Sequence, residues 1–185
     1  MVKSRPCRLQ AGFPAATGSP MSIATAFRPF RPDDRAAVVR LWHDAWHDGH
    51  GAVLPAHVVA ERTMESFDLR LGPLEAGCLV AEADGRILGF AIVEGNEIDQ
   101  FYVVAEARGT GLATAMLDAA ETQLARRGVR DAVIQCSAGN DRAHRFYARA
   151  GWRDSGVRQA PIWTPDGRHE THPTHIFVKQ LSSLD

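Results

Sequence analysis

The sequence contains few cysteines, almost no net charge and no long apolar run. Cys7, Cys78 and Cys136 are widely spaced and form no C-x-x-C pair, which favours a reducing compartment and predicts a cytoplasmic protein. The net charge of −1 argues against the electrostatic field that holds nucleic acids or anionic membranes. No apolar run reaches the length of a membrane span, and no amino-terminal segment reads as a secretory signal. We therefore expect neither nucleic acid nor a membrane as a partner.

Several common ligand motifs are also missing. The chain has neither the G-x-G-x-x-G of dinucleotide folds nor the G-x-x-x-x-G-K-[ST] of P-loops, and it has no H-E-x-x-H. Two groups of histidines have spacings that would suit a metal: His43, His47 and His50 at helical intervals, and His169, His172 and His175 near the carboxyl end. No cysteine joins either group, so we predict no metal site.

Length and composition predict one globular domain. The 185 residues are 45% hydrophobic and 23% charged, which is typical of a packed domain and too short for two. Residues 1–20 contain no acidic residue and no periodicity, and we predict a disordered, inert tail over 1–21 and one domain over 22–185. A transit peptide, or a start assigned upstream of Met21, would be alternative origins of that tail.

Apolar periodicity and turn residues predict an α/β fold in the order β-αα-βββ-α-β-α-ββ, with a mixed central sheet and flanking helices. The dipeptide Asp84-Gly85 predicts a tight hairpin, and Asn140 or Asp141 predicts the start of the last helix. The predicted strands cover 24–30, 78–83, 87–94, 97–104, 132–137, the surroundings of residue 157, and 175–181. The predicted helices cover 34–46, 55–70, 112–126 and 140–151.

The central stretch of the chain is a strand, a glycine-containing turn and a helix. The strand runs from Glu97 to Val104, and the helix begins near Leu112. The first turn of a helix has unpartnered N–H groups and partial positive charge. Glycines at 109 and 111 admit an anion close to the backbone, and Arg108 adds a cation. This turn is therefore predicted to bind a pyrophosphate, although Arg108 can instead pair with Glu106 at the surface.

Two motifs in this order resemble a known family. Residues 108–113 match R-x-x-G-x-A, and residues 140–152 match N-x-x-A-x-x-F-Y-x-x-x-G-W. The pair resembles the GNAT superfamily of acyl-CoA-dependent N-acetyltransferases over residues 23–182. The resemblance implies a GNAT-like fold, acetyl-CoA as the acetyl donor, and a donor wedge between the strand ending at Val104 and the strand ending at Ser137.

The resemblance also assigns donor-binding residues. Val103 and Val104 would hold the pantetheine amides, with the Val103 N–H facing the thioester carbonyl as an oxyanion donor. Asn140 would bind the pantetheine arm, cap its helix, or do both. The backbone N–H groups expected to hold the pyrophosphate belong to Arg108, Gly109, Gly111, Leu112 and Ala113.

Tyr147 is the predicted general acid, because a phenol on this helix can protonate the departing coenzyme A thiolate. A buried aromatic with a satisfied hydroxyl is the alternative. Cys136 is read as a small core residue and not as a nucleophile, since no histidine partner is evident. Without an activated nucleophile, direct attack of the amine in a ternary complex is expected.

The acceptor amine must lose a proton before attack, and carboxylates on the central strand are candidate bases. Glu97 and then Asp99 are preferred because alternate strand residues share a face, and Glu94 is a neighbouring candidate for substrate binding. Trp42 and Trp46 on the first helix would line the acceptor pocket, with core packing as the alternative.

The predicted function is transfer of an acetyl group to a primary amine of a small molecule. A protein or peptide N-acetyltransferase and a non-catalytic acyl-CoA-binding module are the alternatives. A homodimer through the exposed edge of the last strands is also considered.

Overall fold

The computed structural model describes residues 25–182, so the predicted tail over 1–21 lies outside the described residues. Within this range the chain forms a seven-stranded mixed sheet in the order β1-β2-β3-β4-β5-β7-β6. The strands are β1 Ala26–Pro29, β2 Cys78–Ala83, β3 Arg86–Glu94, β4 Glu97–Val103, β5 Asp131–Ser137, β6 Arg153–Ile162 and β7 Glu170–Gln180. The predicted α/β class with a mixed central sheet is confirmed.

Five α-helices flank the sheet. They are α1 Arg35–His50, α2 Ala56–Ala60, α3 Met64–Leu71, α4 Leu112–Arg126 and α5 Asp141–Arg149. Three helices therefore lie between β1 and β2, where the sequence predicted two. The single helix predicted over 55–70 is divided because Thr63 adopts an extended backbone and its hydroxyl accepts a hydrogen bond from the Ser66 N–H. A new helix is capped at that point, and the residue before the cap, Arg62, turns into the interior, where it is 2% exposed.

The β2–β3 hairpin turns at Asp84 and Gly85, whose φ values of 50° and 72° are those of the predicted tight turn. At the other end of the sheet, β6 and β7 are longer than predicted and pair antiparallel from Arg153 to Ile162. β6 is the edge strand on that side. The homodimer through this edge stays a prediction.

β4 and β5 are parallel neighbours that separate along their length. Their pairing is confined to Glu97 with Val133 and Ile98 with Ile134. Beyond that point β5 continues to pair with β7 as far as Ser137, whereas β4 continues with β3. The register of β3 and β4 also shifts at residue 99, which is a β-bulge that bends the strand. The two strands thus open into a wedge toward their carboxyl ends.

The sheet has a hydrophobic core on each face, because successive residues of a strand point to opposite sides. Ala91 and Val93 of β3 pack with α4 and α5, whereas Phe90 and Ile92 pack with α1 and α3. No helix between residues 25 and 182 has the length and apolar character needed to span a membrane.

Candidate active site

A cavity of about 220 Å³ lies between the carboxyl end of β4, the glycine turn before α4, the end of α1 and α5. Its inner wall is apolar and its mouth is cationic, an arrangement that suits a ligand with an apolar arm and an anionic end. The apolar and aromatic lining includes Phe101, Val103, Ala113, Ala143, Phe146 and Tyr147. The cationic lining consists of Arg108, Arg142 and Arg149. We refer to this space as the donor cavity.

The backbone of β4 offers N–H groups to the donor cavity at alternate residues. The Val104 N–H donates to the Leu88 carbonyl of β3 at 2.9 Å and is therefore used within the sheet. Val103 lies opposite Gly89 in the same antiparallel register, and hydrogen-bonding direction alternates along such a pair. The N–H of Val103 consequently points away from β3 into the wedge. Val103 lines the donor cavity, whereas Val104 does not. The predicted contact of both residues with the pantetheine arm stays a prediction.

The turn before α4 uses its glycines for their backbone conformation. Gly109 and Gly111 have φ values of 77° and 90°, in the left-handed region that other residues disfavour. A Cβ at either position would meet no atom within 4 Å, so the backbone conformation, and not a steric clash, is what favours glycine here. Gly111 is the residue before α4, and Leu112 turns its side chain into the core, where it is 8% exposed.

Arg108 does not pair with Glu106, which instead binds Arg86 at 3.1 Å. Arg108 and Arg142 both contact the carboxylate of Asp48, at 2.7 and 2.6 Å. The two guanidinium groups hold the pKa of Asp48 below its usual value, with the Arg142 hydrogen bond as the larger cause. Asp48 at the end of α1 thus brings two arginines to the mouth of the donor cavity.

Asn140 performs the capping role and keeps its amide nitrogen available. Its Oδ1 accepts a hydrogen bond from the Ala143 N–H at 3.2 Å, which caps α5. Because Oδ1 is the capping atom, Nδ2 is free to donate elsewhere, and Asn140 lines the donor cavity. The two roles considered for this residue are compatible.

Tyr147 lies at the inner end of the donor cavity. The ring packs between Phe101 and Phe177, at centroid distances of 6.4 and 5.6 Å, and the residue is 6% exposed. Burial raises the pKa of the phenol well above its usual value, so the hydroxyl holds its proton at neutral pH. Cys136 nearby is 3% exposed, and burial raises its thiol pKa to about 12, which agrees with a core residue and not a nucleophile.

A second cavity of about 150 Å³ lies on the other side of β4 and contains the predicted carboxylates. Glu97 and Asp99 line it together, as their alternate positions predicted. Trp46 also lines it and is 5% exposed. Further residues of the lining are Arg62, Arg70, Gln100, Tyr102, Gln135, Trp163 and His172, most of which the sequence did not single out. We refer to this space as the acceptor cavity.

The two carboxylates of the acceptor cavity differ in their environments. Asp99 forms an ion pair with Arg70 at 3.3 Å. Glu97 has no ion-pair partner among residues 25–182, and burial together with the nearby charge of Asp99 raises its pKa to about 7. Glu97 therefore exchanges a proton near neutral pH, as a general acid or base requires.

Two predicted acceptor residues lie elsewhere. Trp42 is fully buried in the core against Phe67 and Phe90, at 5.2 and 5.4 Å, because its helix packs that face on the sheet. It lies beneath the guanidinium of Arg70 and does not line the acceptor cavity. Glu94 is exposed at the end of β3, outside the cavity lining, although its charge contributes to the raised pKa of Glu97.

A junction cavity of about 70 Å³ connects the donor and acceptor sides. It shares Tyr147 and Asn140 with the donor cavity and Asp99 and Gln135 with the acceptor cavity. His50, at the end of α1, lines all three spaces. Its Nδ1 donates to the Trp46 carbonyl at 3.1 Å, and burial lowers its pKa to about 4, so the ring is neutral. The sequence had marked His50 only as a candidate metal ligand.

Among residues 25–182, one group of three side chains is close enough to share a metal ion, and it is neither of the two histidine groups considered from the sequence. His144, Asp154 and His175 lie on α5, β6 and β7, with Asp154 Oδ2 at 3.0 and 2.8 Å from the two rings. Asp154 also accepts a hydrogen bond from the Gly156 N–H. These contacts lower its pKa to about 2, and they join α5 to the two carboxyl-terminal strands.

One known protein family matches most of this chain. The model of the acetyltransferase (GNAT) family matches residues 35–152, which include β4, the glycine turn, α5 and both cavities' β4 walls. The chain belongs to the GNAT family. Its membership indicates an acyltransferase that uses an acyl-CoA.

Relatives of this GNAT protein include acetyltransferases of two bacterial species. An uncharacterized N-acetyltransferase of Mycobacterium tuberculosis H37Rv is 30% identical over 139 residues, which are 70% of this chain and 86% of that protein. The mycothiol acetyltransferase of Cellulomonas flavigena is 29% identical over 160 residues, 78% of this chain. The match spans only 44% of that longer relative.

Solved GNAT structures share the fold. The PaiA N-acetyltransferase of Thermoplasma acidophilum, solved in complex with coenzyme A, superposes with a TM-score of 0.64 at 16% identity. The superposition covers 85% of this chain and 99% of that one. At this identity the likeness concerns the fold.

Proposed function

We propose that this protein transfers the acetyl group of acetyl-CoA to a primary amine of a small molecule, by direct attack within a ternary complex. The observation that carries this proposal is the junction cavity between the donor and acceptor cavities. A buried phenol, Tyr147, lies on its donor side, and the carboxylate Glu97 lies in the cavity on its acceptor side. Acid and base are thus on opposite sides of the point where donor and acceptor would meet.

The donor cavity fits the parts of an acyl-CoA. Arg108 and Arg142 at its mouth supply cations for a pyrophosphate, and the first N–H groups of α4 add partial positive charge. The Nδ2 of Asn140 and the apolar walls suit an amide-containing pantetheine arm. The Val103 N–H is directed into the wedge, where it would stabilise the oxyanion formed when the thioester carbonyl is attacked.

Glu97 and Tyr147 would manage the two proton transfers. Glu97, with a pKa of about 7, accepts the proton of the acceptor ammonium, directly or through water, and leaves the lone pair that attacks. As the carbon–sulfur bond breaks, Tyr147 donates its phenolic proton to the coenzyme A thiolate. Burial keeps the phenol protonated at neutral pH, so the proton is present when the thiolate forms.

The proposed step uses no acyl-enzyme intermediate. Cys136 is the thiol beside the junction cavity, and a thiol with a pKa of about 12 is essentially all protonated at neutral pH. His50, with a pKa of about 4, is too weak a base to deprotonate the Cys136 thiol. Direct attack by the amine is therefore favoured.

Three observations favour a small acceptor over a protein. The acceptor cavity holds about 150 Å³, below the usual volume of a drug-sized site, and residues 160–163 at the carboxyl end of β6 form one of its walls. Trp163 also stacks against Arg62 and Arg70, which holds that wall in place. The name of the Cellulomonas relative indicates a small-molecule acceptor for that protein. Peptide acetylation and acyl-CoA binding without turnover are the alternatives.

The test is the release of free thiol from acetyl-CoA with a panel of amines, amino acids, aminoglycosides and peptides. We expect turnover with one class of small amine, a fall of about 100-fold or more in kcat for Tyr147→Phe, and a similar fall for Glu97→Gln. Glu94→Gln removes an exposed carboxylate from the end of the neighbouring strand and serves as the matched control, with unchanged kcat. Calorimetric binding of coenzyme A to Tyr147→Phe should equal that of the wild type.

Binding of acetyl-CoA without turnover of any amine would instead indicate the binding module. Peptides that are turned over faster than all free amines would indicate a protein acetyltransferase. If Tyr147→Phe and Glu97→Gln both kept the wild-type kcat, Tyr147 would not be the general acid and Glu97 would not be the general base.

A further inference from the structure

The acceptor cavity contains a cation, Arg62, that has no ion-pair partner in the described part of the chain. The residue lies in the break between α2 and α3 and is 2% exposed. Its guanidinium is held between two indole rings, at 5.4 Å from the centroid of Trp46 and 5.3 Å from that of Trp163. Its own backbone carbonyl accepts a hydrogen bond from His47 at 2.8 Å. Both backbone and side chain are therefore fixed in place.

Most of the hydrogen-bonding capacity of Arg62 is unused. Nη2 donates to the backbone carbonyl of Trp163, but Nε and Nη1 have no hydrogen-bond partner within residues 25–182. The Nε2 atom of His172 is likewise buried and without a partner among those residues, and His172 lines the same cavity. Unpaired buried donors cost free energy, and native proteins contain few of them.

The carboxylates around Arg62 are engaged with other cations. Asp99 pairs with Arg70, while Glu61 and Glu170 both pair with Arg168. Burial and the like charge of Arg70 lower the pKa of Arg62 to about 10, and the charges of Glu61 and Glu170 only partly oppose them. A buried ion without a close partner is strongly destabilising. A bound ligand that supplies a negative charge is therefore the simplest explanation for the buried guanidinium of Arg62.

We propose that the acceptor is an amine that also carries a carboxylate, of the size of an amino acid, and that Arg62 and His172 recognise the carboxylate. The acceptor cavity is then divided by charge. Glu97 receives the amine, and Arg62 with His172 receives the anionic end. This inference rests on the proposed acetyl transfer and adds the substrate class. It disfavours polyamines, aminoglycosides and peptide amino termini, which bring positive or neutral groups to the same place.

The test compares matched amines in the thiol-release assay. Amino acids with aliphatic, aromatic and polar side chains are each assayed beside the corresponding amino amide and the decarboxylated amine, with phosphoethanolamine as a phosphate-bearing amine. We expect kcat/KM for the best amino acid to exceed that of its amide by at least about 30-fold, because the amide leaves Arg62 without its counterion. This comparison needs only the wild-type protein.

Substitution of Arg62 then assigns the effect. In Arg62→Met, kcat/KM for the amino acid should fall about 100-fold and become similar to that for the amide, mainly through KM. Arg62→Lys should recover part of the preference. Arg158→Met, at an exposed position of β6, is the control and should retain the wild-type ratio. Unchanged calorimetric affinity for coenzyme A would show that each variant is folded.

Equal turnover of acids and amides, or faster turnover of cationic amines, would overturn the inference while leaving the acetyltransferase proposal intact. A preference for phosphoethanolamine over every amino acid would overturn the assignment of a carboxylate. Failure of every amine in the panel would overturn both the proposed function and this inference. That outcome differs from a lack of preference for acids because no thiol is released with any amine.

Discussion

Glu97 shows how a single residue acquires chemistry from its surroundings. Glu97 pairs with Val133 of the neighbouring strand β5, and Asp99 two residues later brings a second negative charge. Gln135 donates a hydrogen bond to the carboxylate, which opposes the shift without cancelling it. Because desolvation is the largest cause, the raised pKa of about 7 depends on the cavity walls and not on the strand alone.

A pH profile tests this assignment. If Glu97 is the base, log kcat/KM should rise with unit slope below about pH 7, where the carboxyl is protonated, and level off above it. In Glu97→Gln that limb should disappear, and only the titration of the acceptor itself should remain. The measurement is kcat/KM from pH 5 to 9 with one acceptor for both proteins. A limb near pH 7 that persists in Glu97→Gln would assign the titration to another group.

At the scale of elements, α5 and β4 meet the donor from two sides. The diverging end of β4 exposes the Val103 N–H, while the capping residue of α5, Asn140, reaches the same cavity. One side chain thus caps the helix with its oxygen, and under the proposed function its nitrogen would bind the donor. The two uses can be separated chemically because Asp has the oxygen of Asn but not its NH₂ group.

Asn140→Ala should lose the cap and destabilise the protein by about 1 kcal/mol, and it should also raise KM for acetyl-CoA. Asn140→Asp should keep stability within about 0.5 kcal/mol of the wild type, since Asp caps helices well, but raise KM as much as the alanine variant. Urea unfolding and steady-state kinetics measure the two effects. Wild-type KM in Asn140→Asp would leave the residue with capping alone.

At the scale of the whole molecule, the site carries a cost in stability. Glu97 has a folded pKa above its unfolded value of 4.5, so the folded protein binds more protons between pH 4.5 and 7. The free energy of unfolding contributed by this group therefore falls as the pH rises through that window. Above pH 7 the ionised carboxylate remains less favourable in the folded state than in the unfolded chain.

Glu97→Gln should accordingly be more stable than the wild type at pH 8, by about 1 to 3 kcal/mol, while being less active. The difference should shrink toward zero below pH 4.5, where the carboxyl is protonated in both states. Urea unfolding at pH 4.5, 6 and 8 checks this, with Glu94→Gln expected within about 0.5 kcal/mol at pH 8. A Glu97→Gln variant that is less stable at pH 8 would contradict the shifted pKa.

Short sequence patterns correctly predicted the features that depend on neighbouring residues. The hairpin at Asp84-Gly85, the helix after Gly111 and the cap at Asn140 follow from backbone preferences of a few neighbouring residues. The strand–turn–helix arrangement around Arg108 and the motif that contains Tyr147 also lie within short segments. For the same reason the family resemblance was readable from the sequence, and the family model confirms it.

The predicted helix over 55–70 was wrong because a continuous apolar periodicity does not reveal where a buried side chain must leave the helix. Thr63 is an ordinary residue in that pattern, and its cap becomes visible only when Arg62 is placed between two tryptophans. Trp42 and Trp46 are one helical turn apart and both belong to the core beside α1, yet Trp46 also lines the acceptor cavity and Trp42 does not. The angle at which α1 packs on the sheet decides between them.

The sequence by itself determined the family, the order of most elements and the glycine turn before α4, since these depend on interactions close along the chain. Only the tertiary structure decided which distant side chains share the acceptor cavity. Arg62, Glu97 and His172 are more than 30 residues apart in sequence, and β4, the α2–α3 break and β7 bring them to one space. Burial in that space then raises the pKa of Glu97 and lowers that of Arg62, which no linear pattern encodes.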